Sequence, residues 1–244
     1  MKQITKYVAP LALCASFGVQ ADIVGGSIEA TYWYAGVSGD ASTSSGAQTV
    51  DMESDLGFGK DSFFELAATL EHPIPVLPNV RIKYADLDQT EEGTFSTTFD
   101  GVSGDVETNL DLSHVDLMLY YEILDTYLSV DIGLDIKVFD GQLEIQEKTS
   151  TTVSTTKIDE ILPLLYVSTE VELPLTDLSF GAEVSGVSYS GNSLYDGKVR
   201  FRQGFSLAFV ELGYRQMAIN VEDLSDTDVD IEFSGVYLST GLDF

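Results

Sequence analysis

The feature that most constrains this chain is an alternation of apolar and polar residues along nearly its whole length. From Asp22 onward, apolar residues recur at every second position in runs of about 8 to 12 residues, which is the period of a β-strand. In the clearest run, residues 128–138, aliphatic side chains alternate with Ser129, Asp131, Gly133, Asp135 and Lys137. One face of this predicted strand is aliphatic, and the other carries charge.

Further stripes follow the same pattern. The apolar members are Phe64/Leu66/Ala68/Leu70, Val80/Ile82/Tyr84, Val115/Leu117/Leu119/Tyr121, Val167/Thr169/Val171/Leu173, Leu178/Phe180/Ala182/Val184, Val210/Leu212/Tyr214 and Val236/Leu238/Thr240/Leu242/Phe244. The opposite faces hold Glu65, Glu71, Arg81, Lys83, Asp116, Glu122, Glu170, Glu172, Glu183, Arg200, Glu211 and Arg215. The pattern predicts an all-β protein.

Two architectures produce such alternation. In a soluble β-sandwich the apolar faces form the core and the charged faces meet water. In a transmembrane β-barrel the apolar faces meet lipid and the polar faces line the interior. Tyrosines near the strand ends and a regular exchange of short and long connections favour the barrel. The long, acidic connections are predicted at Gly39–Asp61, Leu87–Thr108 and Gly141–Lys157.

An export signal also favours a barrel in the outer membrane. Lys2 and Lys6 precede an apolar stretch at residues 7–18, and Val19-Gln20-Ala21 forms a small-residue cleavage site, the order of a secretory signal peptide. A stretch of about 12 apolar residues is too short for a transmembrane helix, which needs roughly 20. We therefore expect residues 1–21 to be removed.

The mature protein is then residues 22–244, and it contains no cysteine. Cys14, the only cysteine, lies in the predicted signal peptide, and Leu13 before it does not suit lipoprotein processing. We therefore expect neither disulfides nor thiolate metal sites.

The C-terminal strand supplies a resemblance. Phe244 is the last residue, and Leu242 and Leu238 share its strand face. With the Glu-Leu-Gly-Tyr-Arg run at 211–215 and an acidic loop, this ending resembles a poorly characterised family of small Gram-negative outer-membrane barrels and, more distantly, the OmpW-type barrels. The resemblance implies an outer-membrane barrel whose terminal aromatic residue is an assembly signal.

We predict a transmembrane antiparallel up-and-down barrel of ten strands, or eight if the short eighth strand merges with a neighbour. Bulges are expected near Ser113 and Gly235, where the apolar residues change phase. The predicted strands are 23–38, 62–71, 79–89, 109–122, 127–139, 161–173, 178–190, 195–202, 207–221 and 229–244. Such a barrel is too narrow for a general porin, since wide channels need about 16 strands.

The predicted inward faces mix acids with bases. The lumen charges are Glu65, Arg81, Lys83, Asp131, Lys137, Glu170, Glu183, Arg200, Glu211 and Arg215. A plug of ion pairs is the favoured interpretation, because unpaired charges in a water-poor lumen are costly. A cation-lined conduit is the alternative.

Candidates for chemistry are few. His72 opens a His-Pro-Ile-Pro turn and is expected to serve that turn. His114 shares its face with Asp116 and adjoins Ser113, a set that could belong to a hydrolase. Because Ser113 should point to the opposite face, we predict no catalytic residue.

The acidic loops are the only metal candidates. Asp226, Asp228 and Asp230 alternate as in a calcium-binding loop, but Ile231 takes the place of its glycine, so the EF-hand pattern fails. We expect no cofactor beyond weakly bound Ca²⁺ or Mg²⁺ at such loops.

The net charge of −28 argues against nucleic acid as a partner. We expect a monomer in contact with outer-membrane lipids, lipopolysaccharide and the barrel-assembly machinery. The predicted role is structural or surface-interacting, without enzymatic activity. The alternatives are a narrow channel or lateral-release transporter for small or apolar solutes, and a lipid-active enzyme.

Overall fold

The computed structural model describes residues 24–43, 48–74, 76–99, 101–224 and 227–244, with the backbone alone for 96, 97, 223 and 224. The predicted signal peptide at residues 1–21 lies outside these ranges. No helix in the described residues is long and apolar enough to cross a membrane.

Fifteen strands run through the described residues. They are β1 (Gly25–Thr43), β2 (Thr49–Asp51), β3 (Lys60–Glu71), β4 (Asn79–Asp86), β5 (Asp88–Phe99), β6 (Val102–Asp111), β7 (His114–Asp125), β8 (Leu128–Phe139), β9 (Gly141–Glu147), β10 (Val153–Ile158), β11 (Ile161–Leu173), β12 (Leu178–Tyr189), β13 (Asn192–Phe205), β14 (Ala208–Leu224) and β15 (Thr227–Asp243).

Ten of these strands close into an antiparallel barrel, in the order β1, β3, β4, β7, β8, β11, β12, β13, β14 and β15. The barrel closes where β15 pairs with β1, from Ser27 opposite Asp243 to Thr43 opposite Thr227. The prediction of a ten-stranded up-and-down barrel is confirmed. The uncertain eighth strand, predicted at 195–202, is a full member at Asn192–Phe205.

The barrel has two different ends. At one end, where β1 begins and β15 ends, short turns connect the strands; we call it the open end. At the other, the capped end, β5, β6, β9 and β10 form a second sheet in the order β10-β9-β6-β5. This cap sheet was predicted as the loops Leu87–Thr108 and Gly141–Lys157, and that prediction is wrong. Alternate residues such as Val102, Val106 and Leu110 are buried, so strand periodicity continues through these acidic segments.

The third predicted loop, Gly39–Asp61, is also partly strand. β1 continues to Thr43, β2 pairs with it, and the chain then turns through residues 52–57. In this turn the Asp51 carboxylate accepts hydrogen bonds from the backbone N–H groups of Ser54 and Glu53 and from the Ser54 hydroxyl. These bonds, those from Ser54 first, lower the pKa of Asp51 below its usual value, because they favour the charged form.

The outer face of the barrel is apolar over most of its height. On β8, for example, Ile132 and Leu134 are about half exposed, while Asp135 and Lys137, which follow them on the opposite face, are fully buried in the lumen. The same arrangement recurs on every barrel strand. The result is a continuous belt of exposed aliphatic and aromatic side chains, which we call the apolar belt.

A large hydrophobic core fills the capped end. It joins residues of the cap sheet to inward-facing residues of β1, β14 and β15, and the sequence had assigned no such core to the lumen. Its members include Trp33, Val37, Phe63, Leu87, Val106, Leu110, Leu143, Ile145, Met217, Val229, Ile231 and Phe233. The upper lumen is therefore packed with side chains like a soluble protein interior.

This core explains why one predicted bulge is absent. The register between β14 and β15 runs without a shift from Ala208/Leu242 to Val221/Val229, so no bulge occurs at Gly235. Phe233 is out of phase with Val236 because it points inward, into the core, while Val236 faces outward. At Ser113 the chain leaves the cap sheet and enters β7, so the expected irregularity there is a break between two sheets and not a bulge.

We expect Gly235→Ala to destabilise the barrel, because the added methyl would collide with the Tyr34 carbonyl oxygen on the neighbouring strand. Overpacking of this kind costs about 1–3 kcal/mol. Gly197→Ala is the control, since the nearest atom to its added carbon is 3.7 Å away. Urea unfolding in detergent, followed by tryptophan fluorescence, measures both. Equal loss of stability in the two variants would contradict the packing described here.

Candidate functional site: the barrel lumen

A network of six charged side chains occupies the centre of the lumen. The bases are Lys83, Lys137 and Arg215, and the acids are Glu65, Asp116 and Asp196. They come from β3, β4, β7, β8, β13 and β14 and are all less than a tenth exposed. Three positive and three negative charges balance, so this central network is electrically neutral.

The contacts in the central network are short. The Lys137 ammonium donates to both Asp116 oxygens at 2.8 Å and to Asp196 at 3.3 Å. The Arg215 guanidinium donates hydrogen bonds to both Asp196 oxygens at 2.7 Å and also contacts Glu65. Charged hydrogen bonds of this geometry are strong. They tie strands on opposite sides of the barrel to one another.

A second group of ion pairs lies nearer the open end. Arg81 bridges Glu29 at 3.2 Å and Glu183 at 3.3 Å. Arg200 also pairs with Glu183, and its shortest contact is to Glu170 at 2.7 Å. Glu183 is shared by Arg81, Lys198 and Arg200, and Arg200 also lies 3.9 Å from Glu211. This layer is therefore a network and not a set of isolated pairs.

The open end holds a cavity of about 880 Å³. Arg81 and Arg200 of the second network line one part of it, and Glu71, Glu122 and Asp131 line another. Among the described residues these three acids form no salt bridge, although Glu71 accepts a hydrogen bond from Tyr120 at 2.7 Å. The cavity is a polar vestibule, and the second network forms its floor.

The part of the hydrophobic core that faces the central network is an aromatic layer. Trp33, Phe63 and Phe233 pack with ring centroids 5.6–6.2 Å apart. The Arg215 guanidinium lies 4.4 Å from the centre of the Trp33 ring, a cation–π contact. From the open end, the lumen thus passes from vestibule to charge networks to aromatic layer to hydrophobic core.

The structure places the ten predicted lumen charges inside the barrel, and it brings nine of them into the two networks. Asp131 lies apart, in the vestibule wall. The sequence interpretation missed Glu29, Asp196 and Lys198. Asp196 and Lys198 alternate with Tyr195 and Val199, so their strand periodicity could have identified them.

Some buried polar atoms lack a hydrogen-bond partner among the described residues. They include the carboxylate of Asp135 and the Nε2 atom of His114. The Nδ1 atom of His114 lies 2.8 Å from the Leu112 carbonyl oxygen, so Nδ1 must carry the proton. Nε2 lies 3.8 Å from Asp116.

Among the described residues, Ser113 and His114 form no hydrogen bond with each other. Ser113 Oγ accepts a hydrogen bond from the Leu87 backbone N–H at 3.1 Å and so belongs to the break between the two sheets. His114, Asp116 and Asp196 have ligand atoms within 4.8 Å of one another, which is close enough for a metal ion. However, the ammonium groups of Lys83 and Lys137 already contact both carboxylates, so cationic charge is supplied by the chain itself.

His72 serves its turn, at the open end. Its Nδ1 accepts a hydrogen bond from the Ile74 backbone N–H at 3.3 Å, and its Nε2 lies 3.1 Å from the Pro78 carbonyl oxygen. The metal candidates are split: Asp226 lies outside the described residues, and Asp228 and Asp230 lie in β15, opposite Ser42 and Asp40 of β1. Asp228 therefore lies in an extended strand and not in the expected loop, whereas Asp230 lies within the predicted strand 229–244. Weak binding of Ca²⁺ or Mg²⁺ at these residues stays a prediction.

The proposed assembly residues lie on the outer face of β15 or just beyond it. Leu238 and Leu242 belong to the apolar belt, and Phe244 is 67% exposed. The Phe244 backbone exchanges hydrogen bonds of 2.9 and 2.8 Å with Gly26, so the last residue still completes the barrel seam.

The fold of this chain is similar to those of solved outer-membrane proteins whose sequences are very different from it. Solved structures similar to this chain include Ail, the attachment invasion locus protein of Yersinia pestis (11% identity, TM-score 0.38, 91% of this chain and 100% of that one). A major outer membrane protein from Thermus thermophilus is 12% identical, with a TM-score of 0.43 and the same coverages. A Pseudomonas aeruginosa FadL homologue is 8% identical, with a TM-score of 0.39 over 91% of this chain and 90% of that one.

No protein-family model and no curated protein sequence matches the chain. At the identities and scores above, the structural likenesses carry no argument about what this chain does. The likeness to OmpW-type barrels stays a prediction.

We expect Lys137→Met to destabilise the barrel by about 3–5 kcal/mol, because it leaves Asp116 and Asp196 short of a buried partner. Asp135→Asn, two residues away on the same strand face, is the matched control. Its carboxylate has no hydrogen-bond partner among the described residues, so removing the charge should cost less than about 1 kcal/mol. Unfolding in urea compares the two, and a larger loss in Asp135→Asn would refute the central network as the stabilising element.

Proposed function

We propose that this chain is an integral outer-membrane β-barrel, monomeric and non-enzymatic, with a sealed lumen and a structural or surface-interaction role. The observation that carries the proposal is the layered interior. A hydrophobic core and an aromatic layer block the capped end. The neutral central network and the second layer of ion pairs fill the middle. A barrel filled in this way supports the wall and the cap without offering an aqueous path.

The membrane location rests on the apolar belt. Side chains such as Leu134, Leu212 and Leu238 are about half exposed around the whole barrel, far beyond the apolar patches that soluble monomers expose. Hydrocarbon is the solvent that suits this surface, and a closed barrel leaves no strand edge unpaired within it. The predicted export signal supports the outer membrane as the location, with the cap on the cell surface.

The cap is the part available to surface partners. Its outer face carries carboxylates such as Glu92, Glu107 and Glu144. Among its described residues it has one salt bridge, Lys148 to Glu92 at 2.6 Å. The cap carboxylates and the phosphates of lipopolysaccharide repel each other, so contact between them requires divalent cations that bridge the two. Weak binding of Ca²⁺ or Mg²⁺ by the cap carboxylates would serve this purpose.

The two other functional classes differ in what they require. A narrow channel or lateral-release transporter needs a path through the aromatic layer of Trp33, Phe63 and Phe233. A lipid-active enzyme needs an activated nucleophile near a base, and the hydrogen bond that Ser113 accepts from Leu87 ties Ser113 to a structural role. We therefore favour the sealed barrel.

Planar-bilayer recordings of the purified, refolded protein test the proposal. We expect no stepwise conductance in 1 M KCl, because the interior layers leave no continuous water path. Trp33→Ala combined with Phe233→Ala removes two rings of the aromatic layer, and we expect brief conductance bursts from this variant that the unaltered protein lacks. Regular open channels in the unaltered protein would contradict a sealed lumen and favour the channel.

The assembly role of the last residue is tested by Phe244→Ala. We expect a clear fall in the amount of heat-modifiable, folded barrel in the membrane, because the resemblance implies that the terminal aromatic residue is read during assembly. Phe205→Ala is the control, since it removes another exposed aromatic ring at the open end. An equal fall in both variants would indicate lost lipid contact and not a lost assembly signal.

A further inference from the structure

A groove on the outer surface of the barrel belongs to none of the sites described above. It has a volume of about 480 Å³ and lies on β12, β13 and β14. Small residues form its floor and tyrosine and valine side chains form its walls: Ala182, Gly197 and Ala218 below, and Val184, Tyr195, Val199 and Tyr214 around them.

The groove exists because of Gly197. This residue occupies an outward position between Tyr195 and Val199, which are 49% and 57% exposed. A side chain there would fill the groove, and the space is free: the nearest atoms to an added carbon are the Glu183 carbonyl oxygen at 3.7 Å and Val184 Cγ2 at 3.9 Å.

The groove lies at the upper margin of the apolar belt, on the side of the capped end. Below it, Phe180, Phe201 and Leu212 continue the apolar surface toward the open end. Gln216, in register with Gly197, adds a polar group to the lining. Its carboxamide makes no hydrogen bond with any described residue, so it offers donors and an acceptor to whatever occupies the groove.

The charge above the groove has one sign. The outward positions of β12 to β15 hold no Lys or Arg, and their charged residues are Glu222, Asp228, Asp230 and Glu232. Glu232 is directly in register with Ala218 of the groove floor. A headgroup with a cationic amine suits this side of the barrel, whereas a headgroup with several phosphates is repelled.

We propose that the groove retains one acyl chain of a glycerophospholipid whose headgroup carries a primary amine. The chain lies between Tyr195 and Tyr214, the Gln216 carboxamide faces the ester region, and Glu232 faces the amine. The inference rests on the proposed membrane location and goes beyond it, because it names a specific bound lipid and not merely a surrounding bilayer.

Native mass spectrometry of the detergent-purified barrel, titrated with phosphatidylethanolamine, tests the groove. We expect one bound lipid that survives collisional removal of the detergent. Gly197→Leu should weaken its binding at least about tenfold, since lost contact with only two or three methylene groups accounts for that factor. Ala68→Leu, an outward position on β3 away from the groove, should bind as the unaltered chain does.

Equal binding by Gly197→Leu and the unaltered barrel would overturn the proposal, and so would the absence of any retained lipid. Neither result touches the membrane location, which fails only if the protein leaves the membrane fraction and stays soluble without detergent.

The headgroup is tested by competition between phosphatidylethanolamine, phosphatidylglycerol and lipopolysaccharide. We expect preference for the amine-bearing lipid, and Glu232→Gln should reduce that preference while leaving acyl-chain retention in place. Preferred retention of lipopolysaccharide or phosphatidylglycerol would refute the assigned headgroup.

Discussion

The structure depends on how a closed barrel neutralises charge that water cannot reach. The centre of the lumen holds three bases and three acids within salt-bridge distance of one another, contributed by six different strands. In such a position an unpaired charge costs several kcal/mol, so each strand is held in register by partners across the lumen. On each strand, the same alternation places aliphatic residues on the outer face and these charged residues on the inner face. The barrel therefore depends on both faces together.

The hydrophobic core at the capped end is the second determinant. In a membrane barrel, polar residues are expected throughout the lumen. Here, however, Phe233, Ile231 and Val229 point inward at the capped end of β15. The cap sheet supplies the opposite half of this core through residues such as Val106 and Leu110. The capped end therefore folds as a soluble domain does, and its packing closes the barrel mouth.

Much of the architecture could be predicted from sequence because one periodic signal determines it. The run at 128–138 gives the strand, its lipid face and its inward charges directly. The cap could not be predicted in the same way, because segments rich in acids, glycine and threonine resemble surface loops. The few apolar residues that the cap buries stand between such polar residues and do not form an obvious stripe. The change of phase between Phe233 and Val236 was visible, but it indicated a change of environment along one strand and not a bulge.

The charge networks of the lumen were also predicted only in part. Inward charges on long strands were identified from alternation alone. Their pairing was not, because Lys137 meets Asp196 from a strand far along the chain, and sequence spacing carries no information about contacts across a lumen. Asp196 itself lay in the strand whose existence was least certain, which is why the residue that joins Lys83, Lys137 and Arg215 was missed.

The barrel wall separates hydrocarbon, which contacts the aliphatic faces, from the charged faces, which contact one another and the water of the vestibule. Because the mature chain is predicted to lack cysteine, single cysteines at Leu134 and at Asp131 can each carry a fluorophore in proteoliposomes containing brominated lipid. We expect strong quenching by the lipid at position 134, and at position 131 quenching only by small aqueous ions entering the vestibule. Aqueous quenching at 134 without lipid quenching would contradict this separation.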